Sequence, residues 1–106
     1  MKLRIKSTRL QLTPALVEYA EKKLLTLSRL VSRWDRGGAV AMEVEIAKST
    51  QHHRKGPVFY AEANLRLPGV LLRAEEFHED LHVAITKVRA KLRQEILKCK
   101  AREIAR

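Results

Sequence analysis

Between Asp80 and Arg106 the apolar residues fall at Leu81, Ala84, Ile85, Val88, Leu92, Ile96 and Cys99. Spacings of three and four place them on one stripe of a helix of 3.6 residues per turn, and no Gly or Pro interrupts it. Asp80 suits the N-cap, where a side-chain oxygen accepts an orphan backbone N–H. At 100° per residue two cationic rows flank the stripe. Lys87, Lys91, Lys98 and Arg102 run along one side, and Arg89, Arg93 and Lys100 along the other. A second helix is predicted to open at Thr13-Pro14, with Thr13 as N-cap and Pro14 at the first helical position, where no N–H is needed. Its apolar stripe is Leu16, Val17, Ala20, Leu24, Leu27 and Val31. Lys22, Arg29 and Arg33 lie opposite, with Lys23 beside them, and Trp34 to Gly38 is expected to end the helix.

The remaining pattern has a period of two, which predicts half-buried strands. Leu3 and Ile5 alternate with Lys2, Arg4 and Lys6. Val40, Met42, Val44 and Ile46 define a strand from Ala39 to Lys48, with Glu43 and Glu45 on its other face and able to pair with the bases of the first strand. Phe59, Ala61, Ala63, Leu65 and Leu67 define a third, Pro68-Gly69 a turn, and Val70, Leu72 and Ala74 a short fourth. Ser49 to Pro57 reads as a polar loop in which His52, His53, Arg54 and Lys55 concentrate charge, and Glu75 to Asp80 as a solvated acidic approach to the last helix. The order β-α-β-β-β-α predicts a two-layer α+β domain: a four-stranded sheet with both helices on one face, the first helix crossing over between parallel strands.

Composition adds a partner class. The chain has 106 residues, enough for one domain and one modest core, expected to span 1–106. A net charge of +10 points to a polyanion. The charge is uneven: residues 1–38 and 81–106 each carry +6, and residues 39–80 carry −2. The apolar stripes are needed for the core, which leaves no bulky apolar row for a membrane surface. One cysteine excludes an internal disulfide framework and fits a reducing cytoplasm. Aromatic residues make up only 5% of the chain, which disfavours recognition of single strands by stacking and favours phosphate contact and groove shape. Trp34 reads as a lid on a core edge, Tyr60 as a residue of the open sheet face, and Cys99 as a buried thiol.

His78-Glu79-Asp80-Leu81-His82 matches H-E-x-x-H, the zinc-hydrolase pattern. That chemistry needs both histidines on one helix and a third ligand beside a cleft. With Asp80 as helix start, His78 falls outside the helix, and Glu103 lies about five turns away. No nucleophile motif or glycine-rich phosphate loop is present, so no enzyme, cofactor, metal or small-molecule substrate is expected.

Three stretches carry a family resemblance: Leu12-Thr13-Pro14-Ala15-Leu16; Ala61-Glu62-Ala63-Asn64-Leu65 through Leu72-Arg73-Ala74-Glu75; and Glu79-Asp80-Leu81-His82-Val83-Ala84-Ile85 leading to Lys91-Leu92 and Lys98-Cys99-Lys100. In order and spacing they resemble the ribosome hibernation-promoting factor and ribosome-associated inhibitor family, also called sigma-54 modulation proteins. The resemblance implies a fold similar to double-stranded RNA-binding domains. It implies a cytoplasmic, stress-linked translation inhibitor seated on ribosomal RNA in the messenger and transfer RNA channel of the small ribosomal subunit. Lys91, Lys98, Lys100 and Arg102 match the family's basic positions. Lys22, Lys23, Arg29, Arg33, Lys87, Arg89 and Arg93 are added by charge geometry, and Arg54 and Lys55 as a contact of the cationic loop. The family often has Tyr at the position of His82 and an acid at that of Thr86. The free protein is expected to be a monomer, and a short form or fragment, since long members carry a further domain. A general double-stranded RNA-binding module is the alternative from the same physics, and a zinc hydrolase, from the H-E-x-x-H match, the remote alternative of a different class.

Overall fold

The computed structural model describes the backbone of residues 1–53 and 56–104, with side chains described except at 50–53 and 104. Its elements are β1 (Lys2–Thr8), α1 (Pro14–Leu25), a 3₁₀ segment (Thr26–Trp34), a short turn of 3₁₀ (Arg36–Gly38), β2 (Ala41–His53), β3 (Gly56–Leu67), β4 (Val70–His78) and α2 (Leu81–Ile104). The sheet runs β1-β2-β3-β4, the first pair parallel and the others antiparallel. A parallel pair needs a crossover, and α1 with the 3₁₀ segment supplies it. One cluster of buried side chains joins the layers. Met42, Ile46 and Leu65 from the sheet meet Leu24 and Leu27 from the first helical arm and Ile85, Leu92 and Ile96 from α2. The α+β order, both helices on one face and the buried Cys99 agree with the sequence pattern.

Both caps form as expected. Thr13 Oγ1 accepts the Leu16 N–H at 3.2 Å, and Asp80 Oδ1 accepts the His82 N–H at 2.8 Å. The N-terminal ammonium of Met1 bonds the Asp35 carboxylate, whose other oxygen accepts the Val40 N–H at 3.1 Å, so the entrances to β1 and β2 are tied together. These two contacts hold the Asp35 carboxyl below its ordinary range, the ammonium first.

Three expectations need correction. The first helix does not run α-helically to Arg33. It tightens to 3₁₀ at Thr26, where hydroxyls compete for backbone carbonyls: Thr26 Oγ1 donates to Lys23 O, and Ser32 Oγ to Arg29 O at 3.1 Å. Ser49 to Pro57 is not one loop. β2 continues to His53 and β3 starts at Gly56, paired as His52↔Pro57 and His53↔Gly56 after a register slip beyond Lys48. Backbone ladders hold this arm without an alternating apolar face, so the sequence lacked a strand signal there. Third, Glu75 and Glu76 are strand residues, not a solvated approach, because β4 extends to His78.

The open sheet face is polar. Register sets Arg4 opposite Glu43 and Lys6 opposite Glu45, as the alternation suggested, and Glu45 also accepts the Thr8 hydroxyl at 2.9 Å. Farther across, the single Tyr60 hydroxyl proton is shared between Glu62 at 2.6 Å and Glu75 at 2.7 Å, while Arg73 reaches the same two carboxylates at 2.6 and 3.1 Å. Tyr60 therefore does occupy the open face. Burial and its two carboxylate partners push its pKa well above the usual phenol range. The Tyr60 hydroxyl, then Arg73 and Asn64, hold Glu62 low against its partial burial.

Candidate nucleic-acid interface

The candidate site is the outer surface of α2 and the groove between α2 and the first helical arm. Leu81, Ala84, Ile85, Val88, Leu92, Ile96 and Cys99 are all buried, which fixes the rotation of α2 and turns both cationic rows outward. Between the rows the apex carries Ala90, Gln94, Leu97 and Ala101, all uncharged. The rows thus sit on opposite flanks of a cylinder about 10–12 Å across. That spacing suits phosphates on the two sides of a groove, with a neutral ridge between them.

The Arg89 row borders the first helical arm. Arg89 Nε donates to Thr26 Oγ1 at 2.7 Å. About two turns earlier, Tyr19 packs edge-on against His82 with centroids 4.3 Å apart, and its hydroxyl lies 3.1 Å from Thr86 Oγ1. Lys23 sits 5.9 Å above the Tyr19 ring, so Lys23 and Arg89 line one groove. The positions where the family often has Tyr and an acid are here a helix-to-helix clasp.

The Lys91 row borders β4. Lys91 Nζ bonds Glu76 at 2.8 Å and the Glu75 carbonyl at 3.0 Å, and Lys91 is the first cause holding the Glu76 carboxyl low. Lys98 is loosely paired with Glu95 at 3.7 Å and remains 69% exposed. Lys87 and Arg102 on this row, Arg93 and Lys100 on the other, and Lys22, Lys23 and Arg29 on the first arm make no ion pair to a carboxylate among the described residues. Exposed cations without internal partners create a field that a polyanion can neutralise.

Arg33 departs from this set. Its guanidinium bonds Glu103 of α2 at 2.8 Å and stacks 4.5 Å from the Trp34 ring, whose Nε1 donates to the same carboxylate at 3.0 Å. The change of helical pitch explains the move. From Thr26 to Arg33, 3₁₀ geometry adds about 20° per residue, so Arg33 turns about 140° away from the α-helical row that contained Lys22. Arg33 therefore clamps the end of α2 to the core-edge residue Trp34. Arg54 and Lys55 lie outside the described residues.

The histidines of the H-E-x-x-H match sit on different elements, His78 at the end of β4 and His82 in α2. His78 Nδ1 accepts the Asp80 N–H at 2.9 Å. No cluster of three potential metal ligands occurs among the described residues, and the zinc-hydrolase geometry is not met. Sequence reasoning missed Glu76 and Thr26 as partners of the cationic rows. The even spacing Leu72, Ala74, Glu76 was the available signal for the first.

A basic helix mounted on a mixed four-stranded sheet, with its cations outward, defines a small α+β domain built around one cationic face. The family described as sigma 54 modulation protein / S30EA ribosomal protein matches residues 3–103, and the chain belongs to that family. It is 31% identical over 106 residues to a ribosome hibernation promoting factor of Azotobacter vinelandii, covering all of this chain and 89% of that one. A ribosome hibernation promotion factor of Deinococcus radiodurans is 29% identical over 92 residues, covering 87% of this chain and 45% of that longer one. Among solved structures, the N-terminal domain of Thermus thermophilus Protein Y superposes with a TM-score of 0.68 at 30% identity, covering 90% of this chain and 91% of that one. A ribosomal subunit interface protein from Coxiella burnetii shares the fold, with a TM-score of 0.72 at 21% identity over 95% of this chain and 99% of that one.

Proposed function

We propose that this protein is a ribosome hibernation factor. It binds the small ribosomal subunit through ribosomal RNA and inhibits translation by filling space that messenger and transfer RNA need. The observation that carries this reading is the pair of outward cationic rows on α2, in a chain whose family and relatives are ribosome-associated. Lys87, Arg93, Lys100 and Arg102, with Lys98, supply the main phosphate contacts. Lys22, Lys23 and Arg29 extend the contact from the first helical arm. Lys91 joins them by exchanging Glu76 for a phosphate. No substrate is transformed; binding and exclusion are the activity.

Sedimentation with separated subunits tests the proposal. The protein should travel with small subunits and be displaced when transfer RNA is bound beforehand. Equal affinity for plain RNA duplexes would instead identify a general double-stranded RNA-binding module. Failure to sediment with small subunits would overturn the proposal.

A further inference from the structure

β4 is an edge strand whose other neighbour is absent among the described elements. Its outer side is marked by the Glu75 carbonyl, which accepts from Lys91 Nζ at 3.0 Å instead of from β3. The odd-numbered residues therefore aim their backbone groups away from β3. On the open face the same odd positions read Leu71, Arg73, Glu75 and Phe77, with Leu71 53% and Phe77 51% exposed.

That series is complementary to its own reverse. Place a two-fold axis at Ala74, the middle of the nine-residue strand. Antiparallel pairing then sets Arg73 opposite Glu75 twice and Leu71 opposite Phe77 twice. Every outward-facing residue meets another outward-facing one, which an antiparallel ladder requires. Directly opposed charges and apolar pairs are the units that stabilise such ladders. The neighbouring hydrogen-bonded registers fail: an axis at Arg73 sets the two arginines face to face, and one at Glu75 does the same for the two glutamates. We infer that β4 is a homotypic docking edge through which two copies of this chain pair about an axis at Ala74, joining their sheets into one of eight strands. Lys91, a single side chain over the edge, gives way to backbone partners. The expected monomer is then the dilute form.

Sedimentation velocity of the full chain without RNA, from about 10 µM to about 1 mM, should show a monomer passing to a dimer. Arg73→Glu and Glu75→Arg should each remain monomeric throughout, because each opposes like charges. An equimolar mixture of the two should recover the dimer, since one strand is then acidic at both positions and the other basic. Circular dichroism checks that each variant is folded. If either is not, Leu71→Ser with Phe77→Ser, which removes the Phe77–Tyr60 ring contact but leaves every hydrogen-bond partner of the Tyr60 hydroxyl in place, should weaken association at least about tenfold. A monomer at about 1 mM, dimers formed by the folded single variants, no recovery in the mixture, or unchanged association of the serine variant would overturn the inference.

Discussion

Side chains of one type do different work here according to what lies within about 4 Å. Arg33 and Arg93 were read alike in sequence, as cations off the apolar stripe. Arg33 spends its charge on Glu103 and stacks on Trp34, while Arg93 has no carboxylate partner among the described residues. Arg93→Gln should therefore weaken small-subunit binding and lower its salt slope by about one, as expected for one lost phosphate contact. Arg33→Gln should leave the slope unchanged. Sedimentation binding across a salt series separates the two. The carboxylates respond to acid. Glu62 and Glu76 have folded values below their ordinary range, so their stabilisation is full above the unfolded value of about 4.3 and is lost as pH falls through the folded values. Thermal melts should show Tm dropping between about pH 5 and pH 3, and Glu76→Gln should reduce that drop.

At the scale of elements, periodicity located every strand and both helices, because burial against one sheet face demands it. Lengths were less legible. α2 could be read end to end since its stripe never breaks and Asp80 caps it. The first helix could not, because the switch to 3₁₀ depends on where the hydroxyls of Thr26 and Ser32 bond, and the spacing of three from Leu24 to Leu27, where the switch falls, fits either pitch. The ends of β2, β3 and β4 were missed for a related reason: partner strands hold them, whatever their own pattern. For the site, the two rows of α2 were legible from spacing, whereas the internal partners of Lys91, Arg89 and Arg33 come from residues far away in sequence. Thr26→Ala with Ser32→Ala should favour α-helical pitch and loosen the Arg33 clamp, seen as faster amide exchange at the end of α2. Leu92→Ala, at a fully buried position beneath both cationic rows, should cost about 2–5 kcal/mol in denaturant unfolding.

The molecule as a whole has two unlike sides. The helical side carries cations held apart by a rigid stripe. The sheet side carries Glu43, Glu45, Glu62 and Glu75 among Lys2, Arg4, Lys6, Arg66 and Arg73, close to balance in sign. Among the described residues the excess of positive charge therefore lies mainly on the helical side, which gives the protein a preferred orientation toward a polyanion. No helix among the described residues is long and apolar enough to cross a membrane. The most direct measurement is small-subunit affinity against salt for the natural chain and for Lys87→Glu, Arg93→Glu and Lys100→Glu combined. The account predicts a steep loss of natural-chain affinity with salt, and for the variant weaker binding with a slope smaller by about three. Equal affinity and equal slope for the two proteins would contradict it.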